Sequence, residues 1–518
     1  MKKYRINILL LVFLGVLVSC NDFLDTMPDN RAEINSAEKV TSLLVSAYPD
    51  KNGGLIAEMS SDNAYDNGSL FTAQNREQED SYLWKDITTT GNDSPQGIWN
   101  SHYIAIAAAN QALEAINELG NPSNLNAQKG EALISRAYAH FALANLFCLP
   151  YNPETANSDL GLPYSDKPET QVKIEYQRGT MEELYKKIYD DIEAGLPLIN
   201  DEIYTVPKYH FNKKAAYAFA ARFNLFYLKF DKTVQYATVA LENNPGNLMT
   251  KWAEMFTMPS NYDARCDRYI SSSDPGNFLM MTSYSLLARI VGGSAGKRYG
   301  NIRPIIDGES FRAPGPWGNT QQSLYLSASM FGWVQKYFIP KLKEYFEYTD
   351  KAAGVGYAHS ILVVFSAGET LLCRAEANIL QSKFTEGVDD INTWIKSNGK
   401  PTVPTFTKDS LVHFYSKLPY MPTTITQDSE RSIKKKINPQ GFVVADGDQE
   451  NLIQCILHLR RLETMHDGDR WYDIKRYGIE ISHNREGLEP DVLLKNDPRR
   501  AMQLPQDVIS AGLQANPR

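Results

Sequence analysis

Cys20 is the residue whose chemistry is most legible in this chain, because of what precedes it. Lys2, Lys3 and Arg5 form a basic start, Ile6 to Val18 is an apolar run broken by Asn7 and Gly15, and Leu17-Val18-Ser19 leads into the cysteine. A basic, apolar and small-residue succession reads as a secretory signal, and cysteine at the first mature position makes it a lipobox. The Cys20 thiol would take a diacylglycerol, the signal at residues 1–19 would be cut away, and the new amine would be acylated. Two or three acyl chains hold a protein on a membrane where one does not, at about 0.8 kcal/mol per buried methylene. The run itself is shorter than the roughly 20 residues that a span needs.

Other reactive groupings are scarce. The sequence has no His-Glu-x-x-His, the spacing that builds a zinc site, and its one Gly-x-Ser-x-Gly, Gly292 to Gly296, falls in a glycine-rich stretch and is not read as a nucleophile elbow. Gly292-Gly293-Ser294-Ala295-Gly296-Lys297 lacks phosphate-loop spacing and reads as a flexible loop. His458 and His466 flank a stretch with Asp467 and Asp469, but they read as isolated polar helix residues; no metal and no cofactor are expected. Cys148, Cys373 and Cys455 sit in apolar helical patterns, where a thiol is core filler. The four cysteines beyond Cys20 contain no Cys-x-x-Cys and give no disulfide framework.

The residue types that remain are those that bind. Sugar rings stack their C–H faces on Trp and Tyr while Asp, Asn and Arg reach the hydroxyls; peptides need backbone partners and apolar pockets. Aromatic residues beside polar ones in loop sequence are Tyr65 with Asp66, Tyr82 with Trp84, and Trp317 with Asn319. These six are the candidate ligand contacts. Trp99, Trp394 and Trp471 lie in helical patterns and are expected in the core. The net charge of −8, made more negative by loss of the basic signal, gives no support for nucleic-acid binding.

The elements that must hold these residues are mainly helices. Trp99 to Leu119 places Ile104, Ala108, Ala112, Leu113 and Ile116 on one face. Ala127 to Phe147 is rich in alanine. Thr180 and Glu183 form a capping box for a helix to about Leu196. Further helices are expected over 213–229, 232–243, 368–381 and 385–396, with Asn243-Asn244-Pro245-Gly246 as a stop. The pairs around Ala220 and Ala375 have small residues at their crossing points, as in tetratricopeptide repeats. The fold class is therefore mainly α: a tetratricopeptide-like helical repeat scaffold with long irregular loops. Loops over 50–98, 259–330 and 398–449 carry Gly, Pro and interspersed aromatics, a composition of functional loops.

Near the end of the chain, Arg460-Arg461-Leu462-Glu463 precedes His466-Asp467-Gly468-Asp469-Arg470-Trp471-Tyr472-Asp473-Ile474-Lys475-Arg476-Tyr477-Gly478. Asn496-Asp497-Pro498-Arg499-Arg500 and Leu504-Pro505 follow. This order resembles the SusD/RagB family of Bacteroidetes outer-membrane lipoproteins. Cys20-Asn21-Asp22-Phe23-Leu24-Asp25, the helix from Trp99 to Asn110, the segment Glu131–Tyr138 and Gly161-Leu162-Pro163 agree with it.

The resemblance implies a signal at 1–19 and one domain over 20–518. The helical scaffold would occupy about 36–258 and 366–397, ligand loops about 50–98 and 259–340, and the family's C-terminal region about 450–518. It implies a non-enzymatic, cell-surface lipoprotein on the outer membrane. Such a protein binds nutrient and acts as a lid over a SusC-like TonB-dependent transporter. Oligosaccharide is the expected ligand, with oligopeptide the alternative that the RagB branch implies. A lipid-anchored hydrolase is the rival of another class. The family's usual loop sequence is absent from 259–330, so the ligand's identity does not carry over. Arg470, Trp471 and Asp473 read as a structural motif: a core anchor, with Asp473 paired to Arg470, Lys475 or Arg476.

Overall fold

The structure is a computed structural model. It describes residues 34–169, 176–259, 261–292, 295–326, 329–331 and 336–518. The signal, Cys20, the start segment to Asp25, Gly293 and Ser294 lie outside the described residues. No helix among those described is long and apolar enough to cross a membrane.

The first helices among the described residues are α1 (Ala37–Leu44), α2 (Gly54–Ser60) and α3 (Arg76–Tyr82). Two long helices follow, α4 (Pro95–Glu118) and α5 (Asn126–Phe147). Ser94 caps α4 by accepting from the Gly97 N–H, and Pro95 occupies its first turn. The expected capping box is present at α6 (Met181–Gly195), with Thr180 and Glu183 bonded reciprocally. Then come α7 (Lys213–Phe226) and α8 (Phe230–Leu241), and later α9 (Ala367–Leu380) and α10 (Phe384–Asn398). The pairs α4–α5, α5–α6, α7–α8 and α9–α10 pack together, and α9 packs on α8 as well.

Small residues set these crossings. On α7, Ala215, Ala216, Ala218, Ala220 and Ala221 are all buried. A Cβ at Gly387 of α10 would meet Ile379 Cγ1 at 2.6 Å. Two details differ from the sequence reading. Ile104 is 65% exposed, because alanines 105, 108, 109 and 112 supply the buried face of α4. The helix stop falls earlier, at Glu242 with φ +56°, and Pro245 begins a further helical turn, Pro245–Leu248.

Strands are few. Tyr65–Asp66 (β1) pairs with Tyr299–Gly300 (β3), and Asn277–Ser283 (β2) pairs with β5 (Val355–Ser366), which also carries β4 (Tyr345–Asp350). Ile481–Arg485 (β6) and Leu488–Leu493 (β7) form a hairpin. Between β5 and this hairpin lie α11 (Lys408–Lys417), α12 (Asp448–Glu463) and α13 (Asp469–Arg476). Cys148, Cys266, Cys373 and Cys455 are free and buried, and Trp99, Trp394 and Trp471 belong to the core.

An ion network joins α9, α12 and α13. Arg460 Nε donates to Asp473 at 2.9 Å, and its guanidinium also reaches Glu369 at 3.3 Å. Arg476 and the Tyr477 hydroxyl both donate to Glu376, at 2.6 and 2.7 Å. Burial raises the Glu369 carboxyl, but Arg222 and Arg460 outweigh it and leave the pKa lowered to about 2. Charges so buried are retained only when paired. Asp473 therefore pairs with Arg460 and Arg476, while Arg470 reaches elsewhere and Lys475 donates to the carbonyls of Asn145 and Cys148.

Candidate functional site

A cleft of about 810 Å³ opens where four distant segments meet: Asp62–Tyr65, the helix Arg303–Glu309, the loop 421–436 and β6. Each segment is fixed locally. Asp62 follows α2, every residue of which is buried. Tyr65 is held by the β1–β3 pairing. Gln427 and Glu430 form a capping box around the turn Asp428–Glu430, which shapes the loop. Asn484 on β6 bonds the Tyr82 hydroxyl at 2.8 Å and gives its amide to the Asp66 carbonyl at 3.1 Å.

The floor is a closed set of charges. Arg470 grips Asp62 through two bonds of 2.8 and 2.9 Å. Arg431, Lys435 and Arg461 converge on Glu309 at 2.5, 2.6 and 2.9 Å. Lys435 and Arg461 also lie 3.7 and 3.5 Å from Asp62. Burial raises Asp62 and Glu309, but the surrounding cations outweigh it and leave both carboxyls lowered. These groups are occupied with one another, so they build a rigid base rather than a reacting pair. Above them the wall is mixed: Thr423, Thr426, Gln427, Ser482 and Asn484 are neutral and polar, Asp428, Lys436 and Glu480 are charged, and Ile305, Met421 and Ile425 are apolar. Tyr65 is half-buried at the wall, with the Arg431 guanidinium 5.1 Å from its ring centroid. One aromatic face among hydroxyls and amides is chemistry for a hydroxylated ligand.

The six candidate contacts separate in space. Tyr65 alone of them lines this cleft. Asp66 is buried, held by Arg298 at 3.1 and 3.3 Å and bonded to the Gly68 N–H. Asn319 is exposed but serves as a helix cap, accepting from the Gln322 N–H. Tyr82, Trp84 and Trp317 are core residues, which corrects their reading as a stacking platform. Tyr82 lies between Tyr299 and His483, at centroid distances of 4.4 and 4.2 Å. Trp84 stacks on the other face of this column, 4.1 Å from His483, and its indole donates to the Ser60 carbonyl. Trp317 faces His458 at 5.5 Å and bonds the Thr320 hydroxyl. Rings of this size bury large areas, and each polar tip has found a protein partner.

The wall residues from 421–436 and 480–490 were missed as contacts. The signal available was the long proline-containing loop 398–449, with Pro419 and Pro422 beside the stretch that forms the wall. Arg470, Trp471 and Asp473 are all buried. Arg470 supports the cleft from beneath rather than lining it.

Comparison with known proteins follows the same outline. A family model described as starch-binding and associating with the outer membrane matches residues 22–225. The SusD family model, SusD_RagB, matches residues 305–503. No curated protein sequence matches the chain. Among solved structures, a SusD superfamily protein from Bacteroides thetaiotaomicron has a TM-score of 0.61 at 17% identity, covering 92% of this chain and 98% of its own. A SusD superfamily protein from Bacteroides fragilis has a TM-score of 0.60 at 15% identity, covering 93% and 99%. A SusD-like carbohydrate binding protein from Bacteroides vulgatus has a TM-score of 0.60 at 14% identity, covering 90% and 93%. At these identities the structures speak for the fold, and the two family models, which between them take in both ends of the scaffold, speak for kinship: the chain belongs to the SusD/RagB family.

Proposed function

We propose that this protein is a non-catalytic, outer-membrane lipoprotein that captures an oligosaccharide in the Tyr65 cleft and delivers it to a SusC-like TonB-dependent transporter. Cys20 is the lipid-bearing residue of this reading, with residues 1–19 as its signal. The observation that carries the ligand class is the cleft wall. A single half-exposed ring stands among Thr423, Thr426, Gln427, Ser482 and Asn484, above a floor whose charges are satisfied. Such a wall offers one stacking face and several neutral hydrogen-bonding groups, beside the apolar side chains of Ile305, Met421 and Ile425. The first family model, of starch-binding proteins, and the carbohydrate binding protein of Bacteroides vulgatus support the same class. The transporter partner rests on family membership alone.

The test is calorimetric titration of the mature protein with neutral oligosaccharides, including starch fragments, against Tyr65→Ala. Loss of one stacking anchor is expected to weaken binding about ten- to hundredfold, or roughly 1–3 kcal/mol. Saccharide binding that is equal in the wild type and Tyr65→Ala moves the site elsewhere. Release of shorter products during titration overturns the non-catalytic reading. Mild-detergent purification should recover a TonB-dependent barrel with the lipoprotein, and repeated recovery of the lipoprotein alone refutes the partnership.

A further inference from the structure

A cluster of exposed aromatic residues lies on the hairpin that β4 forms with the first half of β5, and none of it lines the Tyr65 cleft. Phe346, Tyr348, Val355 and Tyr357 are 46%, 52%, 56% and 59% exposed. Single exposed apolar residues are ordinary, but a contiguous group marks a surface that something else covers. Side chains alternate along a strand, and the register sets Glu347 opposite Tyr357 and Tyr345 opposite His359. Phe346 and Tyr348 therefore share one face, with ring centroids 4.8 Å apart. Tyr345, Tyr357 and His359 share the other, where the Tyr345 and His359 rings are 5.7 Å apart. The hairpin thus presents aromatic side chains on both sides. Its tip is a built turn. Asp350 accepts from the Ala352 and Ala353 N–H groups at 2.9 and 3.0 Å, and Gly354, at φ +67°, has open space where a Cβ would stand.

The base of the hairpin is tied to the segment that follows α1. The Tyr284 N–H, just past β2, donates to the Asp50 carbonyl at 2.8 Å, and the Tyr284 ring lies edge-on to Tyr357 and His359, at 5.9 and 6.2 Å. Asp50 also accepts from the Ser101 hydroxyl of α4 at 2.7 Å. Val45, shortly before Asp50, and Ile104, one turn along α4 from Ser101, are each 65% exposed. On the other side of this joint, α1 is about 12 Å long and leads back to residue 34, where the described residues begin. Residues 20–33 join Cys20 to that point and span at most about 50 Å when extended. A lipid on Cys20 can therefore lie level with the hairpin, whose strands run for about 20 Å.

These features select what covers the patch. A flat protein face covers one side of a two-stranded ribbon, whereas both sides here are aromatic. A second copy added along the edge of β4 is opposed by charge: the antiparallel register that pairs Phe346 with Tyr348 sets Glu347 against Glu347 and Lys343 against Lys351. That edge has no partner strand among the described residues, so its N–H and C=O groups need water or polar groups beside them. Surroundings that are apolar at the rings and hydrogen-bonding at the backbone are those of the bilayer interface, where tyrosine is favoured because one end is apolar and the other wet. Glu347, Asp350 and Lys351 nearly cancel in charge, so an anionic lipid is not required.

We infer that the β4–β5 hairpin is a second membrane contact: Phe346, Tyr348, Val355 and Tyr357 rest in the interface of the bilayer that holds the lipid anchor, and fix the tilt of the domain over it. A lipid tether retains the protein but leaves its orientation free, and a weak contact suffices once the tether raises its local concentration. The inference takes its setting from the lipobox reading, and its test is made without the lipid.

The mature protein carrying Cys20→Ala, which bears no acyl chain, is mixed with phosphatidylcholine vesicles and sedimented. Reversible binding that added salt does not weaken is expected at about millimolar lipid. The triple variant Phe346→Ser, Tyr348→Ser, Tyr357→Ser should bind at least tenfold more weakly, with its circular dichroism unchanged because these side chains are exposed. A second readout removes no contact. Tyr348→Cys labelled with an environment-sensitive dye should shift to shorter emission wavelength on vesicles, while the same dye at Leu70→Cys, in the loop after β1, should not; Cys148, Cys266, Cys373 and Cys455 are buried and stay unlabelled. No vesicle binding, binding unchanged in the triple variant, or equal dye shifts at both positions overturns the inference. So does hairpin-dependent recovery of a transporter barrel without vesicle binding, which would make the hairpin a protein contact. A chain that binds vesicles through the hairpin but takes no palmitate at Cys20 would support the contact and overturn the anchor reading.

Discussion

Replacing Arg470 with methionine tests whether the cleft floor is held by charge pairing. The Arg470 and Asp62 side chains are 3% and 7% exposed, and the guanidinium grips both carboxylate oxygens, at 2.8 and 2.9 Å. Removing one partner of a buried pair strands the other, at a cost of about 3–5 kcal/mol. Asp62 would keep Arg461 at 3.5 Å and Lys435 at 3.7 Å, neither in that paired geometry. The expected loss is therefore at the low end, about 3 kcal/mol. Asp62→Asn in the same background should recover part of it, since the double variant no longer buries an uncompensated carboxylate; a coupling of about 1–3 kcal/mol is expected. The pH dependence has a definite sign. Although burial raises Asp62, Arg461 and Arg470 outweigh it and hold its folded pKa well below the ordinary 3.8. Its contribution is present above the unfolded pKa and is lost as pH falls through the folded one. The gap between the wild type and Arg470→Met should therefore narrow as the solution is acidified below about pH 4. Denaturant unfolding followed by far-ultraviolet circular dichroism measures both effects. A loss under about 1 kcal/mol with additive single variants would refute the floor as a coupled unit.

Three further outcomes follow from particular contacts. Trp84→Ala should destabilise the fold by about 3–5 kcal/mol, because the ring is packed on His483; saccharide binding by the folded fraction should be unchanged, and a selective loss of binding would restore Trp84 as a contact. Burial lowers His102 to about 4 and His140 and His458 to about 3, so the unfolded chain binds their protons first. Their stabilising contribution is whole above pH 6.5 and is lost on acidification. His140→Gln should flatten that loss by up to about 1.4 kcal/mol per pH unit, seen in unfolding midpoints; an unchanged slope would mean that His140 takes a proton in the folded state. Cys20→Ala should abolish metabolic palmitate labelling and release the protein from the membrane fraction, and persistent labelling would contradict the lipobox reading.

The scaffold was legible because its determinants are local. A capping box needs only Thr180 and Glu183, three residues apart, and alanine-rich crossings are visible wherever α7 or α9 is written out. The face of α4 was misjudged because isoleucine outweighs alanine in any hydrophobic pattern, yet close packing on α5 favours the smaller residue. The site was less legible because its determinants are distant. Asp62 and Arg470 are 408 positions apart, and Trp84 is hidden by a histidine 399 residues downstream. Nothing near Trp84 or Trp317 in the sequence says that a ring will be covered. Tyr65 differs because the β1–β3 pairing anchors its backbone and leaves its side chain at the cleft wall.

The C-terminal segment acquires its meaning from this geometry. Asp469 and Arg470 are neighbours in α13, yet Asp469 lines a second cleft, beside Arg222, Phe226 and Val364, while Arg470 secures the floor of the first, the Tyr65 cleft. The helix begins at Gly468, with φ +87°, where a Cβ would stand 2.9 Å from the Gly54 carbonyl and 3.1 Å from Ala57 Cβ. Glycine is needed there both for the left-handed backbone and for the close approach to α2. The packed partner, α2, has the same double reach: Gly54 at its start lines the second cleft, and Asp62, two residues past its end, lies in the first. Two short helices in close contact therefore set the position of both cavities. Asp62 and Arg470 are spent on one another, and Asp473 on the core network around Arg460. The segment that makes the chain recognisable as a family member is thus the one that fixes the frame, while the wall residues that face the Tyr65 cleft come from loops and a hairpin, where binding residues commonly lie.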